Sequence, residues 1–233
     1  MNALDNGTAS PSPSAGEGRG EVDMLDAVER LDICLIDPSY GIKETQGIAG
    51  VSAAAIRRWL SGYPADIREM KAQWINHNDK SPDPLRVSFL ELIEILVAGK
   101  FRAATGKSFA AVQKHNAALS SEWEAPFPFA HENLPALAVR GEKLLKPVVH
   151  TLKQMDYENG YVSLWYPMGK EQPITVDPRR GSGRPVVKGR RVRVQDIRGR
   201  FKSGESVEFI AYDFDLERTD VEAALRYALL VTP

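Results

Sequence analysis

A basic segment towards the C-terminus holds the residues best suited to bind an anionic partner. Residues 179–202 contain ten arginines and lysines against one acid, Asp196, although the whole chain has a formal net charge of −1. Arginine side chains pair bidentately with carboxylates and with phosphates. The segment therefore has three interpretations: contact with acidic groups of a protein, contact with nucleic-acid phosphates, or a solvated face balanced by nearby acids.

The local sequence predicts that extended chain holds these basic side chains. Proline lacks an N–H and disfavours helical geometry in the residue before it, so Gly183-Arg184-Pro185 cannot continue a helix. Residues 185–187 and 192–194 are rich in valine, and Gly189 between them suits a turn. We expect a short pair of strands or extended arms here.

Three short helices are predicted after this segment, at residues 194–202, at 206–213 and from a capping box, Thr219-x-x-Glu222. The buried stripe of the third helix is predicted to contain Val221, Ala224, Leu225, Ala228 and Leu229. Residues 205–222 hold seven acids against Arg218 alone. Phosphates would repel such helices, so we do not expect them to bind DNA.

A second basic feature lies in the N-terminal half and has the spacing of a helix-turn-helix. A helix is predicted over residues 42–48, a turn at Gly50-Val51, and a second helix that Ser52 caps and that ends near Gly62. Ile56, Trp59 and Leu60 would form its buried face. The functional interpretation places this helix in the DNA major groove, and the alternative is a plain helical hairpin with solvated arginines. The predicted DNA-contacting residues are Lys43, Gln46, Ser52, Ala53, Ala55, Arg57 and Arg58.

The remaining chain gives a mixed pattern. Ser88-x-x-Glu91 predicts a capping box that opens an amphipathic helix, and Ser108 predicts the start of another. The buried stripe expected on the first of these helices contains Phe89, Leu92, Ile93, Leu96 and Val97. Residues 137–149 and 157–165 look β-rich, and Asn159-Gly160 predicts a hairpin turn. Residues 168–172 are the predicted boundary between domains.

Two stretches resemble known families. Arg57-Arg58-Trp59-Leu60-x-Gly62-Tyr63 resembles the helix-turn-helix of MerR-like DNA-binding domains, in which a two-stranded wing follows; residues 64–86 would supply the wing. Asp177-Pro178, the run Gly183-Arg-Pro-Val-Val-Lys-Gly-Arg-Arg-Val-Arg-Val194 and Gly204-Glu-Ser206 resemble a bacterial domain associated with VapB-type antitoxins. The similarity extends over most of residues 40–229. Arg190 and Arg193 depart from the usual Thr and Pro of that signature.

The resemblance implies a type II antitoxin that represses its own operon and neutralises a partner toxin, most often a PIN-domain ribonuclease. PIN nucleases hold a cluster of carboxylates around divalent metal, and an arginine could pair with those carboxylates and exclude metal or RNA. The implied toxin-binding residues are Arg184, Arg190, Arg191 and Arg193. A homodimer is expected, because symmetric operators pair with two-fold proteins.

We therefore expect an α+β fold, mainly α: a disordered tail (residues 1–22), a MerR-like winged helix-turn-helix domain (23–125), a β-rich connector (126–168), and a strand pair with a three-helix bundle (169–233). No catalytic residue, metal site or cofactor is expected, since the four histidines lack metal-ligand spacing and no nucleophile or phosphate-loop motif appears. The single cysteine, Cys34, and the lack of a long apolar run favour a cytoplasmic, non-membrane protein. The alternatives are a stand-alone MerR-like transcription regulator and an RNA-processing accessory that uses the basic segment.

Overall fold

The structure is a computed structural model that describes residues 24–63, 65–74, 85–139 and 145–231. The tail predicted for residues 1–22 lies outside the described residues, as does most of the second half of the segment predicted to form a wing.

The regular secondary structure of the described residues consists of helices and two antiparallel sheets. The helices are α1 (Met24–Glu29), α2 (Ile33–Ile36), α3 (Ile42–Ala49), α4 (Ala53–Leu60), α5 (Ala65–Trp74), α6 (Phe89–Thr105), α7 (Phe109–Trp123), α8 (Asn133–Val139), α9 (Lys146–Lys153), α10 (Val194–Lys202), α11 (Val207–Phe214) and α12 (Arg218–Leu230). The strands are β1 (Tyr40–Gly41), β2 (Arg86–Val87), β3 (Met155–Glu158), β4 (Tyr161–Trp165), β5 (Ile174–Val176) and β6 (Pro185–Val187). β1 pairs with β2, and β3 to β6 form a four-stranded sheet in chain order. The fold is α+β and mainly α, as predicted.

Helix α6 is the centre of the larger hydrophobic core. It begins at the predicted capping box, in which the Ser88 hydroxyl accepts from the N–H of Glu91 and the Glu91 carboxylate accepts from the N–H of Ser88. The predicted apolar stripe is buried, and the other sides of the helix are buried too, because α2, α3, α4, α7 and α9 all pack against it. A helix surrounded in this way must satisfy its own polar side chains inside the core.

Glu94 of α6 is such a side chain, fully buried, and it joins three separate elements. Its carboxylate accepts hydrogen bonds from the Tyr63 hydroxyl, from the Asn116 amide at 2.9 Å and from the backbone N–H of Phe129 at 3.0 Å. Burial raises the pKa of Glu94 to about 7 against these donors, which favour the charged form. The network fixes the end of the α4 region against α7 and the 3-10 turn at Pro128–Ala130.

The segment that follows α4 is helical, so the prediction of a wing at residues 64–86 is wrong for its first half. Residues 65–74 form α5, and Lys71 of α5 reaches α6, where it forms an ion pair with the buried carboxylate of Glu91. The strand β2 pairs with β1, which precedes α3, rather than with a neighbour in the same segment. The buried ion pair gives α5 a fixed partner that the local sequence does not reveal.

The β-rich prediction for residues 137–149 is also wrong. Residues 137–139 belong to α8 and residues 146–149 to α9, and residues 140–144 lie outside the described residues. Pro147 lies in the first turn of α9, where proline is tolerated, and Val148, Thr151 and Leu152 are buried at helical spacing against α6. The β-branched residues favour a strand locally, but the packing of the buried face of α9 against α6 stabilises a helix instead. The hairpin at Asn159-Gly160 is confirmed, with both residues at positive φ between β3 and β4.

One sheet crosses the boundary predicted at residues 168–172. β4 pairs with β5 through Trp165 and Val176, and β5 pairs with β6 along its length. β5 contributes Val176 to the larger hydrophobic cluster and Ile174 to a smaller one formed with α10, α11 and α12. The described residues thus form two hydrophobic clusters joined by a continuous sheet.

The sequence predicts a strand pair or extended arms at residues 185–187 and 192–194, and the structure shows a strand in the first run and extended chain in the second. β6 pairs with β5, and the second run makes only an isolated bridge between Arg193 and Val186 before α10 begins at Val194. Valine and arginine at 192–194 fit an extended arm equally well, and Arg193 becomes the residue that precedes the helix. Gly189 lies in the turn at positive φ, as expected.

The three C-terminal helices begin and end close to their predicted bounds, and they contact one another around Ile197, Ile210 and Val221. The third helix begins earlier than the predicted capping box, because the backbone N–H of Glu217 donates to the Asp220 carboxylate at 3.3 Å. Leu229, expected in the buried stripe, is exposed.

The buried carboxylate of Glu94 predicts a pH-dependent stability that a glutamine variant should lack. The pKa of Glu94 in the folded state, about 7, lies above the ordinary value of 4.5, so the folded chain binds more protons than the unfolded chain between these values. The free energy of unfolding should therefore fall as the pH rises through this range. We expect a fall roughly 1–3 kcal/mol larger than that of Glu94→Gln, measured by urea unfolding at several pH values.

The comparison with Glu94→Gln removes the contributions of all other titrating groups, which both proteins share. Parallel pH profiles for the two proteins would show that Glu94 does not titrate in this way.

Candidate functional site

The first helix pair has the geometry that its sequence predicts. Gly50 ends α3 at a φ of 66°, in the left-handed region, and the Ser52 hydroxyl accepts from the N–H of Ala55 to cap α4. The buried face of α4 consists of Ile56, Trp59 and Leu60. Trp59 stacks on Phe129, with 5.9 Å between ring centroids, so that α4 is fixed on the core and its opposite face points outward.

The outward face of α4 carries part of the predicted DNA-contacting set. Ser52, Arg57 and Arg58 are exposed, whereas Ala53 and Ala55 are half-buried and pack against the core. The exposed alanine of this helix is Ala54, which the predicted set leaves out. A helical projection anchored on Ile56 and Trp59 would have placed it on the outer face.

On α3, Lys43 is exposed and Gln46 is half-buried. Lys43 faces the C-terminal part of the chain, since it lines a groove together with α10 and α12, so the structure separates it from the arginines of α4.

Gly62 leaves room at the end of α4 for a side chain from another helix. The side-chain amide of Gln113 on α7 donates to the carbonyls of Arg58 and Trp59, each at 3.1 Å. A Cβ atom at Gly62 would lie 2.0 Å from the amide nitrogen of Gln113. The glycine therefore admits a cap from α7, a role that the local sequence could not indicate.

A basic cleft of about 290 Å³ lies beside α4. Arg57 lines one side, Arg68 of α5 and Arg86 of β2 line the others, and the buried Glu91 is held by Lys71 at its edge. The basic surface of the helix pair thus continues onto α5 and β2. Arg68 and Arg86 lie in the segment that sequence reasoning assigned to a wing. Helix α5 brings Arg68 beside Arg57, and the pairing of β2 with β1 brings Arg86 there.

The two halves of the chain meet where the signature sequence begins. The Tyr40 hydroxyl, fully buried, donates to the carbonyl of Gly183 at 2.7 Å. Gly183 has a φ of 73°, and a Cβ atom there would lie 2.1 Å from the Tyr40 hydroxyl oxygen. Glycine is thus needed both for the backbone conformation and for the approach of the tyrosine.

Arg184, the next residue, also joins the two halves of the chain. Its guanidinium lies 2.8 Å from the Glu44 carboxylate of α3, donates to the carbonyl of Ser39 at 3.1 Å, and lies over the Tyr40 ring. Arg179 acts similarly, with ion pairs to Asp32 at 3.0 Å and Glu158 at 2.6 Å. Two arginines of the basic segment therefore serve the fold.

The other arginines of the basic segment differ in their partners. Arg190 pairs with Asp215 at 3.2 Å, and both side chains are largely exposed, so this pair is weak. Arg200 joins Glu205 at 2.6 Å and also Asp213, which balances part of the acid-rich segment. The part of the chain that the structure describes gives no ion-pair partner to five cations of the segment: Lys188, whose ammonium lies over the Tyr166 ring, Arg191, Arg193, Arg198 and Lys202.

The described residues hold no group of three or more metal-ligating side chains. His131 packs edge-on against Tyr161 at 4.9 Å between ring centroids, and His115 lies against Phe101 and Phe129. Cys34 is a free thiol and partly exposed. In the ranges that the structure describes, no helix has the length and apolarity needed to cross a membrane.

Two comparisons with known proteins bear on this site. One covers residues 184–193, which we call the basic arm, together with the C-terminal helices, and the other covers most of the chain. Residues 174–228, which contain the arm and the C-terminal helices, match the family described as "Protein of unknown function (DUF433)". The crystal structure of Rv2018 from Mycobacterium tuberculosis has the same fold, with a TM-score of 0.62 and 23% identity, covering 81% of this chain and 97% of that one.

A curated protein carries the comparison further. The Mycobacterium tuberculosis protein named "Putative antitoxin VapB45" is 24% identical to this chain over 236 residues, which cover 84% of this chain and 96% of that protein. These similarities are consistent with a VapB-type antitoxin, the class that the signature at residues 183–194 resembles.

The close approach of Tyr40 predicts that Gly183 cannot be replaced. Gly183→Ala should lower the free energy of unfolding by roughly 3 kcal/mol or more, because it adds a steric overlap to the cost of a left-handed alanine. Gly189→Ala is the matched control, since Gly189 has a φ of 77° and no atom lies within 4 Å of the position that its Cβ would take. It should cost only about 1 kcal/mol. The free energies of unfolding are measured by urea unfolding. Equal losses in Gly183→Ala and Gly189→Ala would show that the Tyr40 side chain does not restrict residue 183.

Proposed function

We propose that this protein is the antitoxin of a type II toxin–antitoxin system, that it neutralises a PIN-domain ribonuclease, and that it binds operator DNA as a homodimer to repress its own operon. The observation that carries the proposal is the similarity to a protein named as an antitoxin over 84% of this chain and 96% of that protein. The protein acts by binding, without catalysis of its own.

The proposed toxin contact uses the exposed part of the basic arm. Arg190, Arg191 and Arg193 extend from the turn and the start of α10, and they are the members of the implied toxin-binding set that remain once Arg184 is occupied by Glu44. Bidentate pairing of such an arginine with acidic residues of the toxin would block metal or RNA there. The weak, exposed pair between Arg190 and Asp215 can exchange for a partner carboxylate at little cost.

The proposed DNA contact uses the outer face of α4. Arg57 and Arg58 face outward, and Arg68 and Arg86 extend the positive charge beside them. Such arginines suit phosphates on either side of a groove that α4 enters, while Ser52 and Ala54 lie near its N-terminal end, where base edges are read in a helix-turn-helix.

The antitoxin proposal predicts a complex with the product of the neighbouring gene. Expressed alone, that product should arrest growth, and co-expression of this chain should restore growth and yield a stoichiometric complex on purification. A neighbouring product that neither arrests growth nor binds would contradict the proposal and leave a stand-alone regulator as the better interpretation.

The DNA proposal predicts a specific loss in Arg57→Ala/Arg58→Ala. If each arginine contacts one phosphate, the slope of log affinity against log salt should fall by about 0.9 per contact, or roughly two in total. The matched control is Lys202→Ala/Arg226→Ala, two exposed cations on α10 and α12, which should keep the slope. The measurement is a salt titration of binding to the promoter duplex of the protein's own operon. An unchanged slope in the α4 variant would remove this helix from the DNA interface.

A further inference from the structure

A groove of about 710 Å³ lies between the first helix of the helix pair and the C-terminal part of the chain. Its walls come from α3 on one side, from the arm and the first turns of α10 on another, and from the C-terminal end of α12. The Tyr40–Gly183 junction lies next to it, because Gly41 and Arg184 also line the groove. The groove therefore exists only because the two halves of the chain are held together there.

The rim of this groove carries positive charge that the fold does not use. Lys43, Arg193 and Arg198 line it, and the described residues provide none of the three with an ion pair. The acid in the lining, Glu44, is occupied by Arg184. Three cations from two distant parts of the sequence thus lie on the surface of one groove, and the described residues provide no carboxylate that pairs with them.

Tyr227 gives a second, independent observation at this groove. It lines the groove from α12, its side chain is almost entirely buried, and its hydroxyl finds no hydrogen-bond partner among the described residues. Buried hydroxyl groups in folded proteins nearly always have a partner. The hydroxyl oxygen is itself buried, so a carboxylate oxygen in the groove would supply that partner once the Tyr227 side chain turns towards it.

The walls between these polar groups are apolar. Ile48, Pro185, Val194, Ala228 and Val231 contribute to them. A concave surface with an apolar floor and a few polar groups is typical of a site for a ligand or peptide. A nucleic-acid backbone has no apolar group to place on such a floor, whereas a peptide can pair carboxylates with the rim and bury apolar side chains beneath.

We propose that this groove binds an acidic, amphipathic peptide segment of the partner protein, with its carboxylates paired to Lys43, Arg193 and Arg198 and hydrogen-bonded by Tyr227. The site rests on the proposed function, which supplies the partner toxin. It extends the toxin contact beyond the exposed arm, since Lys43 belongs to the helix pair and Arg198 and Tyr227 to the C-terminal helices.

Charge reversal in the groove is the first test, with the product of the neighbouring gene as the probe. Arg193→Glu/Arg198→Glu should weaken its binding at least tenfold, measured by titration calorimetry. Lys202→Glu/Arg226→Glu reverses two exposed cations on the same helices outside the groove and should change the affinity less than twofold. Equal affinities of the wild type and the groove variant for the probe would overturn the site. It would also be overturned if the groove variant lost promoter binding and kept its binding to the probe.

Tyr227→Phe separates a ligand-binding role from a structural one. Removing a hydroxyl that has no internal partner should leave the thermal midpoint of the free chain unchanged or higher, while the partner should bind several-fold more weakly. A lowered midpoint would show an internal partner for the hydroxyl, and an unchanged affinity would show that no ligand uses it. Either result would count against the site.

Crosslinking identifies the bound segment directly. A carbodiimide joins an amine to a carboxylate only when they are in contact, so Lys43 should become linked to an aspartate or glutamate of the partner, and Lys202 should not. Links from Lys202 alone would overturn the site while leaving the complex itself established. If the neighbouring product binds no variant at all, the proposed function fails, and this site fails with it.

Discussion

The hydrogen bond from Tyr40 to the carbonyl of Gly183 is the contact on which the functional surfaces depend. Tyr40 lies just before α3, and Gly183 immediately precedes the arm, so this contact sets the helix pair and the arm at a fixed distance. Arg184 reinforces it by binding Glu44 of α3. The groove lined by α3, the arm and α12 is a direct consequence, because α3 is far in sequence from the other two.

This junction explains the start of the signature sequence in physical terms. Gly183 provides a left-handed backbone and room for Tyr40, Arg184 bridges to α3, and Pro185 begins β6. These residues serve the fold, whereas Arg190 and Arg193, which depart from the usual signature, are exposed. The arm thus combines arginines that hold the two halves together with arginines that remain available to a partner.

The elements that could be predicted from the sequence are those that local chemistry decides. Ser52 and Ser88 cap their helices through hydrogen bonds to residues three positions away, and Asn159-Gly160 forms the hairpin turn, because each depends on neighbouring residues alone. Helix α9 could not be predicted, since its valines favoured a strand and packing against α6 required a helix. Helix α5 could not be predicted either, because Lys71 finds its partner, Glu91, twenty residues away.

In the candidate site too, some features follow from the local sequence and others depend on distant contacts. The arginines of α4 and of the arm could be found from charge and spacing, but their partners could not. Nothing local indicates that Arg184 is occupied by Glu44, that Lys43 faces α12, or that the hydroxyl of Tyr227 lacks a partner among the described residues. The first two of these facts depend on contacts between residues more than a hundred positions apart.

Hydrogen–deuterium exchange of the chain with and without the proposed partner toxin tests the central claim most directly. The claim is that a partner binds across both halves of the chain, in a groove that the Tyr40–Gly183 junction creates. The account predicts that the toxin slows exchange together in α3, in the first turns of α10 and at the end of α12. Protection confined to one of these elements, or protection that avoids all three, would contradict it.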